Sequence, residues 1–198
     1  LGCSLLKLGQ ARTKAKKLGE ALDALMEARE VVAGTSVDEA EARPGFDTLL
    51  DRVDNSLGDY WLDDGKGEEA LQMYAGVLRR TNEQNADALI GYAKVMMQRP
   101  VPMIADAQSA LIRALVMAQD NKTLRELFTD TLIAPEGVES LKTQLPPTQE
   151  LAEIYGFLST MTKEYGALEV SLELQKIALE WSRPQHKNSY ALNLVHGY

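Results

Sequence analysis

Six carboxylates crowd one short stretch, Asp54, Asp59, Asp63, Asp64, Glu68 and Glu69, and a group that dense could hold a hard cation such as calcium. The order of residues argues against it. A calcium loop sets acidic or amide ligands at alternate positions ahead of its glycine, whereas Gly65 is preceded at those positions by Tyr60 and Leu62. Glu68 and Glu69 instead fit the first turn of a helix, where negative charge meets the positive end of the dipole. The pair Gly65-Lys66 lacks both the upstream glycine and the following Ser or Thr of a phosphate loop, since Tyr60 and Gly67 stand there. His186 and His196 are too far apart to share a helical turn and have no cysteine nearby. Cys3 is the only cysteine, which excludes an internal disulfide and a cysteine-rich zinc site. No nucleophile stands beside a base, so catalysis would need a site assembled from distant positions. The expectation is a chain with no catalytic residue, no metal and no cofactor of its own.

The chain has 198 residues, 45% hydrophobic and 25% charged, the balance of a folded protein. Its 21 basic and 29 acidic side chains leave a formal charge of -8, which repels phosphate backbones and anionic lipids. Nucleic acid is therefore not an expected partner. The run Lys7, Arg12, Lys14, Lys16 and Lys17 is basic, and a solvated helix face explains it. Charges interrupt every apolar run well short of the roughly 20 residues a membrane helix needs, so no membrane insertion is expected. A single cysteine fits a reducing compartment, and the cytoplasm is the expected location. Leu1-Gly2-Cys3-Ser4 also has the look of the end of a bacterial lipoprotein signal, the less favoured alternative. The chain starts without methionine and ends at Tyr198 inside an amphipathic stretch, which predicts a fragment of a longer protein.

Small residues recur at fixed intervals. Gly9, Ala21, Leu25 and Ala28 share their spacing with Gly58, Ala70, Tyr74 and Val77. A third copy keeps Ala107, Leu111 and Ala114, with Gly91 further upstream as though the intervening turn had grown; a fourth has Ser159, Ser171, Gln175 and Ala178, with Gly166 between its halves. A small residue on one helix lets the antiparallel partner approach, and side chains at three- and four-residue spacing fill the shared face. Each pair leaves apolar surface that only a neighbouring pair can cover, which predicts an array. Helices are expected near 3–16, 18–33, 46–63, 67–81, 85–98, 103–119, 123–132, 137–143, 147–163, 167–182 and 188–198, with no strand. Irregular inserts are expected near 36–50, around Pro44-Gly45, and near 121–147, around Pro135-Glu136-Gly137 and Pro146-Pro147. Met96, Met97, Met103 and Met117 read as core, with an adaptable binding surface as the alternative. Asn121-Lys122-Thr123 matches a glycosylation acceptor, a pattern that arises often by chance.

Leu5, Leu8, Gly9, Ala21, Leu25 and Ala28, followed by Leu57, Gly58, Trp61, Gly65, Ala70 and Tyr74, resemble the tetratricopeptide repeat family. The resemblance covers about two thirds of the chain. It departs from the family pattern in lacking the closing proline in the first three units, Pro184 being near the end of the fourth. It implies one all-α domain over residues 1–198, a right-handed superhelical solenoid of antiparallel helix pairs. It also implies a concave groove lined by the first helix of each pair, which here would present Gln10, Thr13, Arg52, Asn55, Asp59, Asn85 and Tyr92 to a partner peptide or helix. With Asp59 in the middle and Arg52 as the sole base of that set, a clamp for a terminal carboxylate is not expected.

The function implied is a non-catalytic adaptor or scaffold that holds a protein segment. The alternative is a structural subunit that self-associates through its ends, because Tyr190, Leu192, Leu194 and Val195 would be left uncovered. An enzyme with an unrecognised site is the third reading.

Overall fold

The computed structural model describes residues 1–15, 17–34 and 46–182. These form ten helices and no strand: α1 Gly2–Lys14, α2 Leu18–Ala33, α3 Phe46–Asp63, α4 Gly67–Arg80, α5 Ala86–Gln98, α6 Ile104–Met117, α7 Lys122–Ile133, α8 Gly137–Gln144, α9 Ala152–Glu164 and α10 Leu168–Ser182. The class is all-α. The eleventh expected helix, 188–198, lies outside the described residues, as do Lys16, Pro44, Gly45, Pro184, His186 and His196. Contacts gather into two units, Leu1–Gln119 and Asp120–Tyr198.

In the first unit, α1 pairs with α2, α3 with α4 and α5 with α6, while α2 packs on α3 and α4 on α5. The spacing pattern explains the pairing. A Cβ on Gly9 would fall 2.6 Å from the Leu25 side chain, and one on Gly58 would fall 2.6 Å from the Tyr74 ring. Both are closer than atoms can approach, so in each hairpin the large residue of the second helix occupies the space that the glycine leaves on the first. Leu6, Ala21, Leu25, Ala28, Val53, Leu57 and Tyr60 form a continuous buried cluster with Trp61 and Met73 against it. At about 25 cal/mol per Å² of apolar surface removed from water, this burial is the main stabilising term.

The third hairpin has a longer turn, as expected: residues 99–103 separate α5 from α6, where 15–17 and 64–66 serve the first two hairpins. Helix α5 also runs further past Gly91 than α1 runs past Gly9 or α3 past Gly58, so Gly91 falls out of the twelve-residue register. Gly91 serves the neighbouring hairpin instead, since a Cβ there would lie 2.3 Å from the Tyr74 ring.

Helix ends follow from local chemistry. The Asn85 side chain accepts the Ala88 N–H at 2.9 Å, capping α5, and Asn121 does the same for Leu124 at 3.1 Å, capping α7. Between α3 and α4, Gly65 takes φ +77°, and the Lys66 N–H reaches back to the Trp61 carbonyl at 2.8 Å.

The second unit pairs α7 with α8 and α9 with α10, and α7 also packs on α9. Its core holds Leu124, Phe128, Leu132, Leu141, Tyr155, Leu158, Met161 and Leu174. Gly166, at φ +79°, repeats the Gly65 turn, with Ala167 N–H bonded to Thr162 O at 3.0 Å. Ser159 and Ser171 meet as the twelve-residue interval predicts, each hydroxyl donating to the other's carbonyl at 2.8 and 2.9 Å. The remainder of the fourth copy is shifted. Gln175 is exposed, and Leu174 takes the buried place beside Ile177, because the large apolar side chain decides which face turns inward. The helix expected from 147 begins at Ala152 instead, after Pro146-Pro147 and a turn in which the Thr148 hydroxyl accepts the Leu151 N–H at 3.3 Å.

Candidate binding groove

Only the first helix of each pair in the first unit, α1, α3 and α5, contributes to a cavity of about 530 Å³. Its lining is Gln10, Thr13 and Lys14 from α1, Ser56, Asp59, Leu62 and Asp63 from α3, and Lys94 and Gln98 from α5. These positions lie toward the C-terminal ends of their helices, where three- and four-residue steps keep them on one face.

The groove is held in shape from beneath. Tyr74 of α4 is buried between Gly58 and Gly91, and its hydroxyl donates to Asp59 Oδ1 at 2.8 Å. Asp59 keeps much of its surface open at the groove, yet protein crowds the carboxylate enough to raise its pKa above the ordinary aspartate value. Desolvation is the main cause. Asp63 and Asp87 add to it, while the Tyr74 hydrogen bond and Lys94 oppose it. Burial likewise pushes the Tyr74 phenol up, with the Asp59 charge acting in the same direction. On the wall, Gln10 Nε2 donates to Ser56 Oγ at 2.8 Å, and that hydroxyl donates to Arg52 O at 2.9 Å. The Thr13 hydroxyl donates to Gly9 O at 3.0 Å.

Of the seven residues expected on the groove, Gln10, Thr13 and Asp59 line this cavity and the other four do not. Asn55 is buried, and its Nδ2 donates to Asn85 Oδ1 at 3.2 Å, so these two meet each other at the start of α5. Asn55 Oδ1 is a buried acceptor with no partner among the described residues. Arg52 is exposed one turn before Asn55, and Tyr92 is half-buried. Sequence reasoning missed Lys14, Ser56, Leu62, Asp63, Lys94 and Gln98. The helical period carries α3 from Asp59 to Ser56, Leu62 and Asp63, but the depth of the cavity along the helices depends on how α1, α3 and α5 cross.

The carboxylate cluster disperses. Asp54 is 2% exposed and takes Arg29 Nε at 2.7 Å on one oxygen and an Arg80 terminal nitrogen at 2.7 Å on the other. Arg80 also bonds the buried Asp51 at 2.9 Å, so one ionic network ties α2, α3 and α4. Asp64 pairs with Lys66 at 2.7 Å and Glu68 with Arg99 at 2.9 Å. Glu68 and Glu69 do occupy the first turn of α4. Among the described residues no three His, Cys, Asp or Glu side chains gather as a metal site. Elsewhere, Cys3 is exposed on α1, Met96 is core, Met97 is half-buried, Met103 and Met117 are exposed, and no described helix is long and apolar enough to cross a membrane.

Comparison with protein-family models, with curated proteins and with solved structures gives no match.

Proposed function

We propose that this chain is a tetratricopeptide-like scaffold that holds a segment of a partner protein in the groove of its first three hairpins. The observation that carries the reading is the make-up of the cavity: its walls come from α1, α3 and α5, and the second helices brace it from outside. In such an array the first helices form the concave side of a right-handed superhelix. The lining offers amide, hydroxyl and charged groups suited to a peptide backbone and its side chains. Its hydroxyls are engaged with Gly9 and Arg52 carbonyls, which suits a docking surface better than a reaction centre.

Photo-crosslinking in native cell extract tests this. A benzoylphenylalanine replacing Gln98 on the groove should capture a discrete partner, and the same group replacing the exposed Gln72 on α4 should not. Equal capture from both positions, or capture from Gln72 alone, would count against the groove.

A structural subunit has its own supporting observation. Leu168, Leu172 and Leu179 of α10 are each more than half exposed and share one helix face. If that face mediates self-association, sedimentation will show dimers that grow with concentration and vanish in Leu172→Lys/Leu179→Lys; a monomer at every concentration removes this reading.

A further inference from the structure

Four charged side chains line the groove, and their order across the three helices is regular. Lys14 stands on α1, Asp59 and Asp63 on α3, and Lys94 on α5. The helices are neighbours in that order, α1 on α3 and α3 on α5. None of the four forms an ion pair among the described residues, although opposite charges face each other across the cavity; the nearby ion pairs are Lys66 with Asp64 and Arg99 with Glu68. The Tyr74 hydroxyl holds Asp59 Oδ1 and so fixes where the carboxylate stands, and Lys94 is near enough to favour its charge without forming an ion pair with it. A crowded carboxylate with a second one a helical turn away gains from a cation supplied by a ligand.

Packed helices lie about 8–10 Å apart, and an extended chain advances about 3.3 Å per residue. A peptide crossing the groove therefore passes from one helix to the next in about three residues. We propose, building on the groove reading above, that the ligand is an extended peptide of alternating charge: a Lys or Arg over Asp59 and Asp63, with an Asp or Glu about three residues to either side over Lys14 and Lys94. A polyanion would place charge against Asp59 and Asp63. A uniformly basic segment would meet Lys14 and Lys94 on both walls. The acid–base–acid order satisfies all four charges at once, and charge complementarity of this kind fixes register as well as partner.

Selection of a random dodecapeptide library displayed on phage, against the intact chain and against Asp59→Asn/Asp63→Asn, tests the proposal. The amide introduced by Asp59→Asn can still accept the Tyr74 hydroxyl, and circular dichroism verifies that the variant is folded. The expected result is enrichment of a basic residue flanked at about three positions by acids, with the selected peptide losing affinity about tenfold or more on the double variant. Lys94→Glu should weaken the same peptide, and exchanging one of the peptide's acids for Lys should restore it. Peptides that Gln98→Trp blocks from the groove, yet which show no charge order, would overturn this inference and leave the groove reading intact. A library that yields no binder to the groove would overturn both.

Discussion

Tyr74 concentrates several demands in one side chain. Its ring fills the gap left by Gly58 on α3 and Gly91 on α5, and its hydroxyl steadies Asp59 at the groove. A methyl at Gly91 has nowhere to go, because a ring displaced from Gly91 moves toward Gly58. Gly91→Ala should therefore destabilise by about 2 kcal/mol in urea unfolding, the overpacking penalty exceeding the gain in helix propensity. Gly76→Ala is the contrast: its Cβ meets only the end of Arg80, at 3.5 Å, and the change should stabilise by about 0.5–1 kcal/mol. If both variants move the same way, the Tyr74 cradle is not what those glycines serve. Asp59 makes a pH prediction. Its folded pKa is raised, so between the ordinary aspartate value and that higher one the folded chain binds more protons than the unfolded chain. Its contribution is then most favourable below the unfolded pKa and declines as pH rises through the folded one. Asp59→Asn retains the acceptor for Tyr74 and removes the charge that Asp63 and Asp87 oppose and Lys94 favours. Its melting temperature relative to wild type should rise as pH is taken from 4 to 7; a flat difference would show that Asp59 does not titrate abnormally.

At the scale of elements, the hairpins depend on turns whose cost resides in the backbone. Gly65 and Gly166 hold φ near +77° and +79°, and a Cβ at either would touch nothing within 4 Å among the described residues. Steric crowding is thus absent, and Gly65→Ala or Gly166→Ala should lose about 1 kcal/mol through the left-handed conformation alone. Asn tolerates that region better, so Gly65→Asn should lose less than Gly65→Ala. Equal losses for Asn and Ala would point to some cause other than φ. This turn lets α4 fold back on α3 and so brings Tyr74 under Asp59.

For the whole molecule, the informative division is between Leu1–Gln119 and Asp120–Tyr198. Each unit has its own buried cluster, around Leu25, Leu57, Tyr74 and Leu111 in one and Phe128, Leu158 and Leu174 in the other. Each unit also keeps its own hairpin pairings, so the contacts that bury each core lie within one unit. Fragments 1–119 and 120–198 should each show helical circular dichroism and a cooperative thermal transition. A fragment that is unfolded by itself would mean that its core needs the other.

The all-α class and most helix boundaries were legible because a 3.6-residue apolar period and the Gly and Pro turns are written along the chain and act within a few residues; the caps at Asn85 and Asn121 were not read from it. The close approaches of Gly9 to Leu25, Gly58 to Tyr74 and Ser159 to Ser171 were legible too, since a fixed interval across a tight turn brings fixed positions together. Which side chains face a shared cavity was not. Gln10, Thr13 and Asp59 were anticipated there and the helical period leads from Asp59 to Asp63, but Lys14 and Lys94 join them only through the crossing of α1, α3 and α5, and Asn55 turns aside toward Asn85. The partners of Asp54, from Arg29 on α2 and Arg80 on α4, are likewise set by packing between hairpins. Local pattern determines which face of a helix is apolar; the angle and depth at which helices meet depend on every side chain in the contact, and only the folded chain decides them.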